Sequence, residues 1–369
     1  MGDSAVPGPA AGFRDREMEL KQMTAGPDEP SGTTAAGDET TRTLFTLDAV
    51  KAELMDVDAM FRACMNWNYG HRDSRVWSLY EKNKISQWNA TTDIDWDHDV
   101  RFGAELSEEN GARLASFVVG EGSPVPRELL NRFRWEYQSW MVSQFLHGEQ
   151  GALVTTARLV ETVPDIDAKV YAAAQVADEA RHVEAFARYV DEKLQDSYPI
   201  NPGLRTLLHD LLSASDWDIV YLGMQVVVEG LAITAARLAS SGFGDPVIRQ
   251  ITRMVAVDEA RHIAFGVTAL GGMYQEASTA ELREREDFLM EAIHLMSRRF
   301  LLREIWERME LDVPLGLHFA RTNPMMTAYR QLLFQQVIHV LRQLGLLSDR
   351  IRELLLAEAL ARPESLRTR

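Results

Sequence analysis

From Leu44 onward, apolar residues recur mostly at spacings of three and four, Pro and Gly fall between the periodic stretches, and the alternation expected of half-buried strands is scarce. The pattern predicts helices over 45–66, 72–86, 107–119, 126–162, 165–195, 203–240, 245–275, 279–310, 323–345 and 348–361. Several exceed about 25 residues, a length that points to a helix bundle. Between the second and third, the stretch QWNATTDIDWDHDV is rich in Asn, Thr, Asp and Trp and reads as an ordered loop. Residues 1–43 hold nearly all the low-complexity sequence, with few large apolar side chains to offset the entropy of ordering, and read as a disordered leader. Residues 44–369 read as a single, nearly all-α domain.

Composition then narrows the function classes. A chain of 369 residues, 46% of them hydrophobic, buries a sizeable core. A net charge of -16 argues against a protein that grips nucleic acid through its overall field. The single cysteine, Cys64, excludes an intramolecular disulfide framework and a thiolate cluster, so a metal site must use His and carboxylate ligands. The first forty residues lack a basic stretch followed by an apolar one, and no run of about 18 apolar residues occurs. The expectation is a cytoplasmic protein without a membrane span.

The internal repeat carries the chemistry. Asp-Glu-Ala-Arg-His occurs at 178–182 and again at 258–262. Thirty residues before Glu179 stands Glu149, and thirty before Glu259 stands Glu229. The unit is therefore Glu followed, thirty residues on, by Glu-x-x-His, and it occurs twice. A helix that climbs about fourteen residues, turns and descends as many returns to its starting height. The midpoints are Pro164 in TVPD and Gly244 in SGFGDP, where antiparallel hairpins need their turns. Residues three apart share a helix face, so each Glu-x-x-His can serve one site. Two hairpins face to face bring four carboxylates and two imidazoles to one level. Oxygen ligands with one imidazole per ion suit iron or manganese rather than structural zinc. Asp178 and Asp258 are natural acceptors for an imidazole N–H of the opposite hairpin, with Arg181 and Arg261 to hold those carboxylates. Gln175, one turn before Glu179, faces inward. His147 points to another face than Glu149 and is read as structural, and Trp135, Tyr137, Trp140 and Phe145 as packing.

This constellation resembles the ferritin-like di-iron carboxylate oxygenase superfamily over about residues 126–275, with one Glu from each of two helices and Glu-x-x-His from each of two others. The resemblance implies a ferritin-like four-helix bundle with additional flanking helices. It also implies that Glu149, Glu179, His182, Glu229, Glu259 and His262 are the metal ligands, the four glutamates being the catalytic carboxylates. Glu179, with Glu229 or Glu259, would bridge. The Asp-Glu-x-Arg-His form with Gln175 is most similar to hydroxylase α subunits of bacterial multicomponent monooxygenases, and similar forms occur in acyl carrier protein desaturases. The tyrosyl-radical class of ribonucleotide reductase carries Tyr where Phe186 stands. Aminobenzoate N-oxygenases carry a third metal His where Val255 stands, and multicomponent hydroxylases commonly a Thr where Ile233 stands, with Thr234 one residue off.

What the resemblance implies is a non-haem di-iron O2-activating oxidoreductase, with hydroxylation of a small organic substrate as the leading reaction. N-oxygenation of an aryl or alkyl amine and fatty-acyl desaturation are alternatives, as is a ferroxidase or iron-binding role outside organic catalysis. The cofactors are two Fe ions and O2, or a Mn/Fe pair. The chain has no flavin or nicotinamide motif, so a separate reductase or ferredoxin must supply electrons. A homodimer is compatible with this reading. Phe145, Ala152, Phe186, Val226 and Ile233 are candidates to line the substrate cavity.

Overall fold

The computed structural model describes residues 57, 63–69, 74–104, 115–119, 122–194 and 196–366. Residues 1–56, which include the predicted leader, lie outside them. Among the described residues there are helices and no strand. We number them α1 (Arg75–Ile85), α2 (Leu130–Thr162), α3 (Ile166–Tyr189), α4 (Pro202–Ser213), α5 (Trp217–Gly242), α6 (Pro246–Leu270), α7 (Thr279–Arg299), α8 (Arg303–Arg308), α9 (Val313–Thr322), α10 (Pro324–Gln343) and α11 (Asp349–Ala357).

Two antiparallel hairpins, α2/α3 and α5/α6, make the four-helix core of a ferritin-like bundle; α1 packs on α3 and α6, and α10 on α5. The same device closes both hairpins. Val163 ends α2, Pro164 cannot continue it, and Asp165 caps α3 by accepting the Ala168 N–H at 2.8 Å. In the second, Asp245 accepts the Val247 N–H at 2.8 Å and Pro246 opens α6.

Helix α5 is not uniform. Leu222–Val228 winds as a π-helix, and the Glu229 N–H reaches back five residues to the Met224 carbonyl. By length and composition α5 could cross a membrane, yet 83% of its apolar window is buried inside the protein. It is the central helix of the bundle. Two glycines let neighbours approach it: a Cβ on Gly223 would lie 2.1 Å from Leu211 Cδ2, and one on Gly266 of α6 would lie 2.6 Å from Gln225 Cβ. Gly266→Ala should therefore cost about 2 kcal/mol, seen as a lower urea midpoint with unchanged slope; an unchanged midpoint would mean that α5 can simply move away.

Several predicted helices differ from the observed ones. The helix expected over 203–240 breaks at Ala214–Asp216, where α4 ends and folds back so that Leu211 packs on Gly223. The one expected over 279–310 breaks after Arg299, because Leu302 adopts a left-handed conformation. Of 45–66, the described residues 57 and 63–66 are not helical; of 107–119, only 115–119 are described, and they hold a single 3-10 turn, Ser116–Val118. The loop over 87–100 is ordered as expected: Trp96 donates to the Ala90 carbonyl at 2.7 Å, and Lys193 to the Trp96 carbonyl at 2.6 Å. Tyr137 and Trp140 stack in a buried ladder with Phe133 and Trp306, and Phe145 stacks on Phe186 at 5.3 Å.

Candidate metal centre

Halfway along the bundle, Glu149 (α2), Glu179 and His182 (α3), Glu229 (α5), and Glu259 and His262 (α6) converge, each at most 5% exposed. Both imidazoles turn Nδ1 toward the carboxylates. His182 Nδ1 lies 3.1 Å from Glu149 Oε2, 3.1 Å from Glu179 Oε2 and 3.4 Å from Glu259 Oε1. His262 Nδ1 lies 3.3 Å from Glu179 Oε1, 3.2 Å from Glu259 Oε2 and 3.8 Å from Glu229 Oε1. Glu179 and Glu259 thus each offer one oxygen to each imidazole, whereas Glu149 faces only His182 and Glu229 only His262. Two donor sets result, Glu149/Glu179/His182/Glu259 and Glu179/Glu229/His262, each with its donor atoms within 4.8 Å of one another. Glu179 Oε2 and Glu259 Oε1 are buried with no hydrogen-bond donor. Buried carboxylate oxygens rarely stay unpaired in proteins, so these atoms fit a cation between them. The cluster is able to hold two metal ions.

Around this centre the two hairpins orient each other. His182 Nε2 lies 3.1 Å from Asp258 Oδ2, and His262 Nε2 lies 3.2 Å from Asp178 Oδ2. Each imidazole is thus aimed by the aspartate of the opposite hairpin. Arg181 reaches both aspartates, at 2.5 Å from Asp178 and 3.4 Å from Asp258, and Arg261 pairs with Asp258. Gln175 Nε2 donates to Glu179 Oε1 at 2.9 Å and to Glu229 Oε1 at 3.1 Å, and itself accepts from Gln225 Nε2 at 2.9 Å. Three further residues come from α1 and the loop after it, where no sequence spacing pointed to them. Asn83 donates to Asp178, Gln87 Nε2 donates to Asp178 at 3.1 Å, and Trp88 Nε1 donates to Asp258 Oδ2 at 2.8 Å while stacking on His182.

The electrostatics follow from burying so many like charges. Burial, with the charge of Glu229 beside it, pushes Glu179 up to about 7, and the same two causes push Glu259 well above the carboxylate range. Burial opposes ionisation of Glu229 too, but its interactions with Glu259 and His262 hold it low. Burial also disfavours charge on the imidazoles, yet the surrounding carboxylates raise both well above the usual histidine value. Asp178 and Asp258 stay ionised: against burial, the opposite imidazole and an arginine hold both low.

Raised carboxyl values mean that a cation must compete with protons at this centre. Apparent Fe(II) or Mn(II) affinity should rise at least about tenfold from pH 6 to pH 8, with protons released, as calorimetry in two buffers of different ionisation enthalpy would read. A flat profile would mean the carboxyls are already ionised. The sign for stability is opposite. The folded value of Glu179, about 7, exceeds its ordinary 4.5, so the metal-free fold loses stability as pH rises between them.

A narrow apolar cavity of about 40 Å3 opens beside the centre, reaching Glu149 and Glu229, with Trp140, Phe145, Met224 and Tyr329 on its walls. Of the predicted lining residues, Phe145 and Ala152 line it; Phe186, Val226 and Ile233 are buried elsewhere. The π-helix explains the difference, because its wider turn presents Met224 and Val228 to the cavity where an α-helical count expects Val226. The same wall carries Arg299, at the end of α7 and out of reach of sequence spacing. Its Nη2 donates to the Gln144 carbonyl at 3.1 Å, its Nε is buried without an acceptor, and burial pulls its pKa down to about 10. Among the described residues no carboxylate pairs with it. Thr234, beside the buried Ile233, turns its hydroxyl to the Gly230 carbonyl.

Residues 156–345, just over half of the chain, match the family model of P-aminobenzoate N-oxygenase AurF. The chain belongs to this family. The aminobenzoate N-oxygenase match spans Glu179, His182, Glu229, Glu259 and His262 and begins seven residues after Glu149. It selects, among the three branches the sequence resembles, the one with less support from the residues, since buried Val255 stands in place of the third metal histidine. The dimetal oxygenase class is therefore established for this chain at family level. Among solved structures, the chain is similar to an R2-like ligand-binding oxidase with aerobically reconstituted Mn/Fe cofactor (18% identity, 75% of this chain and 92% of that one, TM-score 0.41). A variant of that oxidase with an anaerobically reconstituted Mn/Fe cofactor also matches (18% identity, 75% and 95% covered, TM-score 0.44). No curated protein matches the chain.

Proposed function

We propose that this protein is an O2-dependent N-oxygenase of an aryl amine bearing an anionic group, with two iron ions, or a Mn/Fe pair, held by Glu149, Glu179, His182, Glu229, Glu259 and His262. The observation that carries this reading is the narrow cavity that reaches Glu149 and Glu229 and is also lined by Arg299, which has no carboxylate partner among the described residues and a buried Nε without an acceptor. Arg299 anchors at Gln144, five residues before Glu149, or roughly 7.5 Å at the α-helical rise. That rise is comparable to the length of a flat ring with an amine at one end and a carboxylate at the other, as in the aminobenzoate that names the family, and such a ring must widen the cavity of about 40 Å3 to enter.

In this reading Glu179 and Glu259, each facing both imidazoles, would serve both ions, and Glu149 and Glu229 would each serve one. Four carboxylates balance two divalent ions, while Arg181 and Arg261 balance Asp178 and Asp258, so the loaded centre is neutral and tolerates burial. The iron pair, when bound, supplies O2 activation and the electron changes, with electrons delivered by a separate reductase or ferredoxin. The chain's own residues hold the substrate. Arg299 fixes its anionic end, the aromatic walls exclude water, and Glu149 and Glu229 present oxygens to which the amine N–H groups can donate.

A second reading, hydroxylation of a C–H bond, is favoured by Val255, which leaves the six-residue donor set without a third histidine. Iron-loaded protein given a reductant, O2 and 4-aminobenzoate separates the two. Oxygen on nitrogen, located by mass spectrometry with 18O2, supports N-oxygenation; oxygen on the ring supports hydroxylation. Reductant consumption without any oxygenated product would sink both.

A further inference from the structure

A second cavity shares Arg299 with the apolar one in its lining. It is about 400 Å3, tenfold the inner volume, and Arg298, Arg303 and Arg321 also line it. Its one acidic residue is already engaged: Glu304 accepts from Asn201 Nδ2 at 2.6 Å and from Trp140 Nε1 at 3.3 Å. Arg303 pairs with Glu307 at 3.1 Å, but Arg298 and Arg321 have no ion pair among the described residues, and both are exposed. Four guanidiniums around one carboxylate, in a chain of net charge -16, are a local reversal of the protein's field.

We infer that the outer cavity is a vestibule for organic carboxylates: Arg298 and Arg321 collect the anionic group of the substrate from solvent and Arg299 receives it at the mouth of the inner pocket. The chemistry supports the direction of transfer. Guanidiniums bind carboxylates in a planar, two-pronged geometry. The outer pair is hydrated and exchanges its ligand quickly, whereas Arg299 is largely desolvated, forms no ion pair among the described residues, and holds an anion more strongly, although the nearby Glu304 competes in part. The neutral inner walls then select the ring that follows. The vestibule rests on the proposed anionic substrate, but not on what is done to the amine.

The test uses a carboxylate that has no amine. In 19F NMR, 4-(trifluoromethyl)benzoate should broaden on adding the full-length protein, and its neutral amide should broaden far less. The charge-reversed pair Arg298→Glu/Arg321→Glu, at exposed positions that leave the core alone, should cut the carboxylate broadening at least fivefold and leave the amide unchanged. Inorganic phosphate and 0.5 M NaCl should suppress the wild-type signal. Stopped-flow tryptophan quenching should show the association rate for 4-aminobenzoate falling about tenfold in the same variant. Equal broadening of acid and amide, or a carboxylate signal indifferent to the charge reversal, would overturn the vestibule and leave N-oxygenation standing. Failure to oxidise any aryl amine while the NMR contrast persists would do the reverse.

Discussion

Glu179→Gln should drop the metal content from two ions per chain to at most one and abolish O2-dependent turnover, while the metal-free protein melts higher than wild type. The first half follows from position. Glu179 is in both donor sets and offers one oxygen to each imidazole, so an amide there removes charge from both ions at once. The second half follows from cost. Glu179 is fully buried, and burial and Glu229 disfavour its ionised form. Gln keeps the shape and can still accept from Gln175 Nε2, which in wild type lies 2.9 Å from Glu179 Oε1. Relief of one strained carboxyl is worth about 1–3 kcal/mol, or roughly 5 °C in a chain of this size. Metal analysis, oxygen uptake and scanning calorimetry at pH 8 read the three effects. Two retained ions with full activity would remove Glu179 from the centre.

Arg299→Leu is expected to raise KM for an anionic aryl amine about 100-fold, near 2.7 kcal/mol, with kcat changed less than about threefold. A charge-assisted hydrogen bond in a desolvated pocket is worth about 1.5–3 kcal/mol. The matching neutral amide should barely notice the change. Leu is apolar and removes a half-buried cation without an ion-pair partner, which offsets the lost Gln144 hydrogen bond, so the variant should be about as stable. Arg299→Lys should recover part of the loss, because it restores the charge but not the planar fork. Equal losses for acid and amide would mean that Arg299 only shapes the pocket.

The sequence speaks clearly where the structure is helical and local. Glu-x-x-His, the thirty-residue offset and the turn residues Pro164 and Gly244 all follow from helical rise and capping, so two hairpins and their convergent side chains were readable from spacing alone. The crosswise pairing of Asp178 with His262 and of Asp258 with His182 was readable for the same reason: the repeat makes the hairpins equivalent. Trp88, Asn83 and Gln87 were invisible because they reach the aspartates from 91–170 residues away in sequence. Arg299 was invisible because nothing in its own helix marks it; only the cavity does. Val226 was misplaced because periodicity assumes a constant turn, and the π-helix before Glu229 shifts the face; Ile233 follows Glu229 in regular α-helix and is simply buried in packing, which periodicity does not separate from cavity lining.

The crossed aspartates also decide when this centre can exist. Neither hairpin contains both an imidazole and the carboxylate that aims it, so half of the chain is not half of a site. An ion bound between the hairpins would therefore add to the packing that already holds them together, and parting them would release it.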